Sequence, residues 1–223
     1  MATTLRLKFE RTGPVRYIGH LDMLRYFQKA VMRAGIDIRY SEGFNPHQIM
    51  SFAYPLGVSM ETKGDYLDID VLSYTSCEEI VHSLNEVMSE GIRIVGANVL
   101  PENTKNAMAS VAAADYLVHI SSGSVSECDI EQLLVRHEIL VGREGKGGVV
   151  MTDIRPGIFE LKLCEDNILF MKLQSGSEKN IKPSAILEKL SEITSKPVTT
   201  DRIIRLEIYE KDEQGGLKPL GNS

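Results

Sequence analysis

The sequence predicts an α+β protein made of two ferredoxin-like units in tandem, each with the element order βαββαβ. Three observations carry this. Short segments that alternate apolar and polar residues recur along the chain, as half-buried strands do. Each half also holds two stretches with apolar residues at helical spacing. Between the halves, residues 101–114 (PENTKNAMASVAAA) are small and polar and read as a linker. The expected domains are therefore 1–100, with a basic first helix, and 115–210, with a polar, disordered tail at 211–223.

The first strand is Thr3–Arg11, with Leu5, Leu7 and Phe9 on one face and Arg6, Lys8 and Glu10 on the other. Thr12-Gly13-Pro14 turns the chain, and a helix runs to about Ala34. Its predicted buried stripe is Leu21, Leu24, Phe27, Val31 and Ala34, and Gly35 supplies the C-cap. Arg25, Lys29 and Arg33 stand at i, i+4 and i+8 and share another face. Ile36–Tyr40 is a second strand, and Ser41–His47 is a loop signalled by Gly43 and Asn45-Pro46. Ile49–Met60 is irregular or edge structure, and Tyr66–Leu72 is a strand. Thr75 or Ser76 caps a helix to about Glu90, and Ile92–Leu100 closes the half as a strand.

The second half restarts with a strand at Tyr116–Ile120. A helix follows from about Ser126, where Ser126 and Asp129 have capping-box spacing. Ile139–Val141 is a short strand and Gly142–Gly148 (GREGKGG) a flexible loop. Val149–Ile154, Phe159–Cys164 and Ile168–Leu173 are strands, the last two joined as a hairpin. Pro183–Ile193 is a helix with Ile186, Leu187 and Leu190 inward, and Arg202–Tyr209 is the last strand.

Composition narrows the function classes. Of 223 residues, 43% are hydrophobic and 25% charged, an ordinary globular balance. No apolar run approaches the ~18 residues a membrane-spanning helix needs, so no membrane partner is expected and cytoplasm is the default location. Cys77, Cys128 and Cys164 lie far apart without a CxxC pair, which argues against a disulfide framework, a structural zinc or an iron–sulfur cluster held by this chain. They read as small core residues. No cofactor is expected. Net charge is −6, yet residues 1–48 hold eight Lys/Arg against four acids, so that segment is +4 and the remainder −10. A basic patch on an acidic body suits an anionic ligand such as RNA, and a solvated helix face would give the same pattern.

Candidate site residues concentrate between Arg16 and Ser51. His20 opens the first helix and His47 lies in the 41–47 loop, so the two are a candidate acid/base pair for metal-independent RNA processing. A backbone-bonded helix-start His and a solvated loop His are the plain alternatives. No third His joins them, so a metal site is not expected. Arg16 and Tyr17 precede His20. Arg25, Lys29, Arg33 and Arg39 are candidate phosphate contacts, and Tyr40, Phe44 and Phe52 candidate stacking platforms, with Asn45 beside them. In TDIRPG, Asp153 and Arg155 form an i, i+2 pair that would orient the guanidinium toward an anion or remain a local ion pair. GxxxxGK[ST], GxSxG, GxGxxG and HExxH are all absent.

The run RYIGHLDMLRYFQKAVMRAG, then YSEGFNPHQIMSFAYPLGV, GDYLDIDV and TDIRPGIFELKL resembles the radical-SAM-linked family of uncharacterised proteins over nearly the whole chain. Family members commonly carry a Pro and then a basic residue after the loop His, where this chain has Gln48 and Ile49. The family takes its name from members fused to, or encoded beside, radical SAM proteins. This chain lacks CxxxCxxC, so the resemblance implies an accessory or substrate-presenting role beside a radical SAM protein that holds the cluster. Three readings stand at this level: such an accessory partner, an RNA-processing enzyme, and a purely structural interaction domain.

Overall fold

The computed structural model describes residues 2–145, 148–177 and 179–221. In chain order the first strands and helices are β1 (Thr3–Arg11), α1 (His20–Arg33), β2 (Asp37–Ile38), β3 (Met50–Phe52), β4 (Met60–Ser73), α2 (Cys77–Val87), β5 (Ile92–Val99) and the short α3 (Ala107–Ser110). After these come β6 (Val111–Ser122), α4 (Glu127–Leu134), β7 (Leu140–Gly145), β8 (Gly148–Asp153), β9 (Ile158–Cys164), β10 (Ile168–Gln174), α5 (Pro183–Thr194), β11 (Thr199–Lys211) and β12 (Leu217–Pro219). The α+β class holds. The strand order is more complex than two consecutive βαββαβ repeats. The chain divides into one compact unit of Met1–Ala112 with Arg205–Ser223, and a second of Ala113–Ile204.

In the first unit β1 lies between β5 and β4, antiparallel to both, and β2 and β3 pair with β4. Helices α1 and α2 bury Phe27, Val31, Ile80 and Leu84 against Leu5, Leu7, Phe9, Leu67 and Ile69 of the sheet. The buried residues of α1 are Met23, Phe27, Ala30 and Val31. The predicted stripe is thus out of phase at its start, and Leu21 points outward, 67% exposed. The reason lies in which arc of the helix the sheet covers. At 100° per residue 23, 27, 30 and 31 share one arc, which faces the sheet, and 21 falls outside it.

β1 is buried on both faces, against the half-buried expectation. Arg6 and Arg11 are buried along with the apolar set. The second face is covered by the 100–110 segment and the C-terminal return. The Arg6 guanidinium donates to the carbonyls of Lys105 and Leu220, and the Ala107 N–H donates to the Asp68 carboxylate. Residues after Lys211 are therefore not a loose tail. Asp212 closes a turn by accepting from the Gln214 and Gly216 N–H groups, β12 pairs with β11, and Leu220 is fully buried. Residues 222–223 of that stretch lie outside the described residues.

In the second unit β6 pairs with β10, and β10 with β9, both antiparallel. α4 has the predicted capping box, with reciprocal Ser126 and Asp129 bonds. α5 buries Ile186, Leu187 and Leu190, as its spacing predicts. The Gly142–Gly148 stretch is built differently from a loop. Its described part belongs to the two-stranded hairpin of β7 and β8, and positions 146–147 lie outside the described residues. Cys128 and Cys164 are exposed rather than core residues, while Cys77 is half-buried.

Candidate functional site

The charges of the first unit sort into two sets. The inner set is structural. Arg6 grips Asp68 with two bonds, Nε to Oδ1 at 2.8 Å and Nη2 to Oδ2 at 2.9 Å. Arg205 grips Asp65 in the same way at 2.7 and 2.6 Å. Lys8 meets Glu207, which also accepts from the Tyr66 hydroxyl at 2.6 Å. Burial, reinforced by that carboxylate, pushes the Tyr66 phenol well above its ordinary pKa. Arg11 is buried without an ion pair among the described residues, and its guanidinium donates to the carbonyls of Ile18, Gly57 and Met60. Burial lowers its pKa. Three of the cations that make residues 1–48 basic are thus consumed inside the fold.

The outer set lies on α1 and on the residues that flank it, Arg16 before the helix and Arg39 before the 41–47 loop. Arg16 pairs with Glu61 at 3.1 Å, and its guanidinium donates to the Tyr17 hydroxyl at 3.0 Å. These bonds, the Tyr17 one first, hold the Arg16 pKa above its ordinary value. Arg25 pairs with Asp22 on the same exposed helix face. Arg33 donates to the Val87 carbonyl, and Arg39 lies 3.8 Å from Asp70. Lys29 has no ion pair among the described residues. The stripe of Arg25, Lys29 and Arg33 is exposed, as its spacing predicts, and of the three only Arg25 faces a carboxylate among the described residues.

His20 occupies the first turn of α1. Its ring stands edge-on to Phe52, with centroids 5.4 Å apart. It borders a crevice of about 10 Å3 with Arg11, Tyr54 and Asp65, room for about one water. His47 lies elsewhere. Its neighbour Gln48 donates to the Gln28 carbonyl, ~12 Å of helical rise beyond His20. No hydrogen bond or ring contact joins the two histidines among the described residues, so the structure does not bring the expected pair to one point.

What His47 does is visible. The Ser41 hydroxyl and His47 Nδ1 are 2.8 Å apart, the His47 N–H donates to that hydroxyl, and the Ser41 N–H donates to the His47 carbonyl. These three bonds cinch the base of the loop. Tyr40 and Gln48 bridge just below it, and the Ile49 N–H donates to the Arg39 carbonyl. Asn45 is exposed on the loop, and Phe44 at its tip is fully exposed. Phe52, grouped with Phe44 as a stacking candidate, is instead a core residue touching Phe9 and Phe27. The outward Leu21 and Met32 and the Ser41–His47 clasp were missed by sequence reasoning. A Ser and a His flanking a Gly and an Asn-Pro turn were the one available signal.

In the second unit Asp153 and Arg155 meet through the Arg155 backbone, with no described bond between their side chains. Asp153 Oδ1 accepts from the Ile139 and Arg155 N–H groups, and those bonds lower its pKa. Arg155 Nε donates to the Leu134 carbonyl. The pair shapes a turn rather than aiming a guanidinium outward. Asp153 also borders a cleft of about 440 Å3 with Lys179, Lys182 and Ser184.

Among the described residues no group of three or more His, Cys, Asp and Glu converges on a point where a metal would sit. None of the described helices is long and apolar enough to cross a membrane. Fold and site define an α+β protein whose first unit combines a sheet cross-linked by buried ion pairs with an exposed helix-and-loop face. The chain belongs to a family described as an uncharacterized protein conserved in bacteria (DUF2344), whose model matches residues 4–183. No curated protein matches it.

Proposed function

We propose that this chain is a non-catalytic accessory protein that docks on a radical SAM enzyme through α1 and the 41–47 loop. The observation that carries the reading is the make-up of that face. Tyr17, Leu21, Met32, Tyr40 and Phe44 are exposed large apolar residues, while Arg16, Arg25 and Arg39 beside them already face carboxylates. Apolar and aromatic side chains with few free charges are what a protein interface core uses. Tracking a phosphate backbone needs several uncommitted cations, and Lys29 with Arg33 makes a short list. The enzyme partner is inferred from the sequence resemblance, together with the absence of a cluster motif in this chain. In the same reading, each unit is a βαββαβ arrangement. The orders β5-β1-β4 with β2 and β3, and β11-β6-β10-β9, support it.

The test is a binding measurement between the purified full chain and a purified radical SAM protein from the same organism, with and without ribonuclease. Micromolar or tighter binding that survives ribonuclease is the expected result. Absence of binding refutes the reading. So does affinity for RNA alone that disappears when Arg25, Lys29 and Arg33 are reversed in charge, which moves the assignment to RNA binding or processing.

A further inference from the structure

We infer that α2 closes the outer edge of β5, with Asn85 standing in the place of a neighbouring strand, and so keeps copies of this chain from pairing edge to edge.

β5 pairs with β1 alone among the described residues and ends the strand order, so one side of its backbone has no strand partner. The Leu100 N–H donates to the Thr4 carbonyl on the β1 side. Alternation from there, in the register Leu5–Val99 and Leu7–Ala97, turns the backbone groups of Ala97 and Val99 outward. The register shifts between Gly96 and Ile94, and past the shift the Ile94 groups face outward too, toward α2. The segment IRIVGANV carries one charge, Arg93, and Val95 and Val99 are 42% and 44% exposed. A strand edge of that make-up is a template for another strand. Every copy of the chain displays the same edge, and two such edges related by a two-fold axis are complementary.

α2 meets this edge with side chains. The Asn85 amide donates to the Ile94 carbonyl and accepts from the Ile94 N–H, both at 2.9 Å. Those are the two bonds that a residue of a paired antiparallel strand would make. Nearer the end of the strand, the Val99 backbone hydrogen-bonds the side chain of Cys77, the first residue of the same helix. Between these two contacts a groove of about 440 Å3 runs beside Gly96 and Ala97, lined across from them by Val81 and His82. It leaves space for an extended chain. Of the three outward residues, however, Ala97 alone has no described partner. An incoming strand finds both Ile94 groups taken and Val99 engaged, and it gains little beyond the bonds of Ala97.

The experiment is sedimentation velocity of the full chain over a range of concentrations, with Tm by circular dichroism as the folding control. Asn85→Ala uncovers the Ile94 groups and is expected to give a concentration-dependent rise in sedimentation coefficient over wild type. Adding Val95→Lys puts a charge on the opened edge and is expected to restore the wild-type value. Asn85→Asp keeps an acceptor for the Ile94 N–H and carries a charge, so it is expected to melt lower without associating. Amide exchange of the wild type needs no variant: the Ile94 N–H is expected to exchange roughly tenfold more slowly than that of Ala97. An Asn85→Ala protein that melts lower but sediments as wild type overturns the proposal, since the amide would then only brace α2. Association that Val95→Lys leaves in place overturns it too, because it would run through another surface. So does an Ile94 amide that exchanges as fast as that of Ala97, and this result decides the matter if Asn85→Ala does not fold.

Discussion

Removing Arg6 tests the account of the first unit most directly. Arg6 and Asp68 are 1% and 5% exposed, and their two short bonds cross-link β1 to β4 at a register position where Arg6 lies opposite Asp68. Arg6→Met keeps most of the volume and removes the charge. It strands the Asp68 carboxylate with the Ala107 N–H as its remaining described partner, and it frees the carbonyls of Lys105 and Leu220. Breaking one side of a buried ion pair costs about 3–5 kcal/mol, because the other charge stays buried and uncompensated. In a chain of this size each kcal/mol shifts Tm by ~2–4 °C, so a fall of roughly 6–20 °C is expected.

The control is the Asp22–Arg25 pair, whose side chains are 68% and 71% exposed. An exposed pair of that kind contributes ~0–1 kcal/mol, so replacing both residues by Ala is expected to leave stability nearly unchanged. The double variant Arg6→Met with Asp68→Leu separates charge from packing. It removes the stranded carboxylate and is expected to be no less stable than Arg6→Met alone, even though the Ala107 N–H then loses its acceptor. Urea unfolding of the full chain, followed by far-ultraviolet circular dichroism, gives all four values. An Arg6→Met variant within ~0.5 kcal/mol of wild type refutes the argument, since it would mean that the carboxylate finds water when its partner is gone.

Three further outcomes follow from single features. Ser126→Ala removes the capping box of α4 and is expected to cost about 1 kcal/mol in the same urea assay. Gly91 has φ +87°, and a Cβ there would meet the Thr12 carbonyl oxygen at 2.6 Å, so Gly91→Ala is expected to lower Tm by several degrees, read by thermal melting. Tyr66 has its pKa raised by burial and by Glu207, so it stays protonated when folded while the unfolded phenol ionises near ~10. Its contribution is full below that value and is lost as pH rises above it. The urea midpoint is expected to fall between pH 9 and 11, and less steeply in Tyr66→Phe.

The legible and illegible parts of the fold divide by the range of the interaction that decides them. Ser126 with Asp129, Gly35 after α1 and the Ile186, Leu187 and Leu190 stripe are set within a turn or two of chain. The sequence pattern specifies them and the structure agrees. Leu24, Phe27, Val31 and Ala34 of the predicted α1 stripe pack against the core, and Leu21 alone points outward while Met23 and Ala30 are buried in addition. Only the sheet beneath decides which side faces in. The second face of β1 was read as solvent-exposed from Arg6 and Lys8. Both find partners far along the chain, Asp68 and Glu207, and nothing local announces a carboxylate 62 or 199 residues away. The same blindness governs the site. Eight cations against four acids looked like a patch for an anion. Once Arg6, Lys8 and Arg11 are inside and Arg16, Arg25 and Arg39 are matched, what remains outside is mainly aromatic and aliphatic surface. Phe44 and Phe52 are alike as stacking candidates in the sequence, and only the fold separates them. Phe52 packs on Phe9 and Phe27 in the core, while Phe44 stands exposed at the loop tip, because the partners of an aromatic ring lie too far along the chain to be read locally.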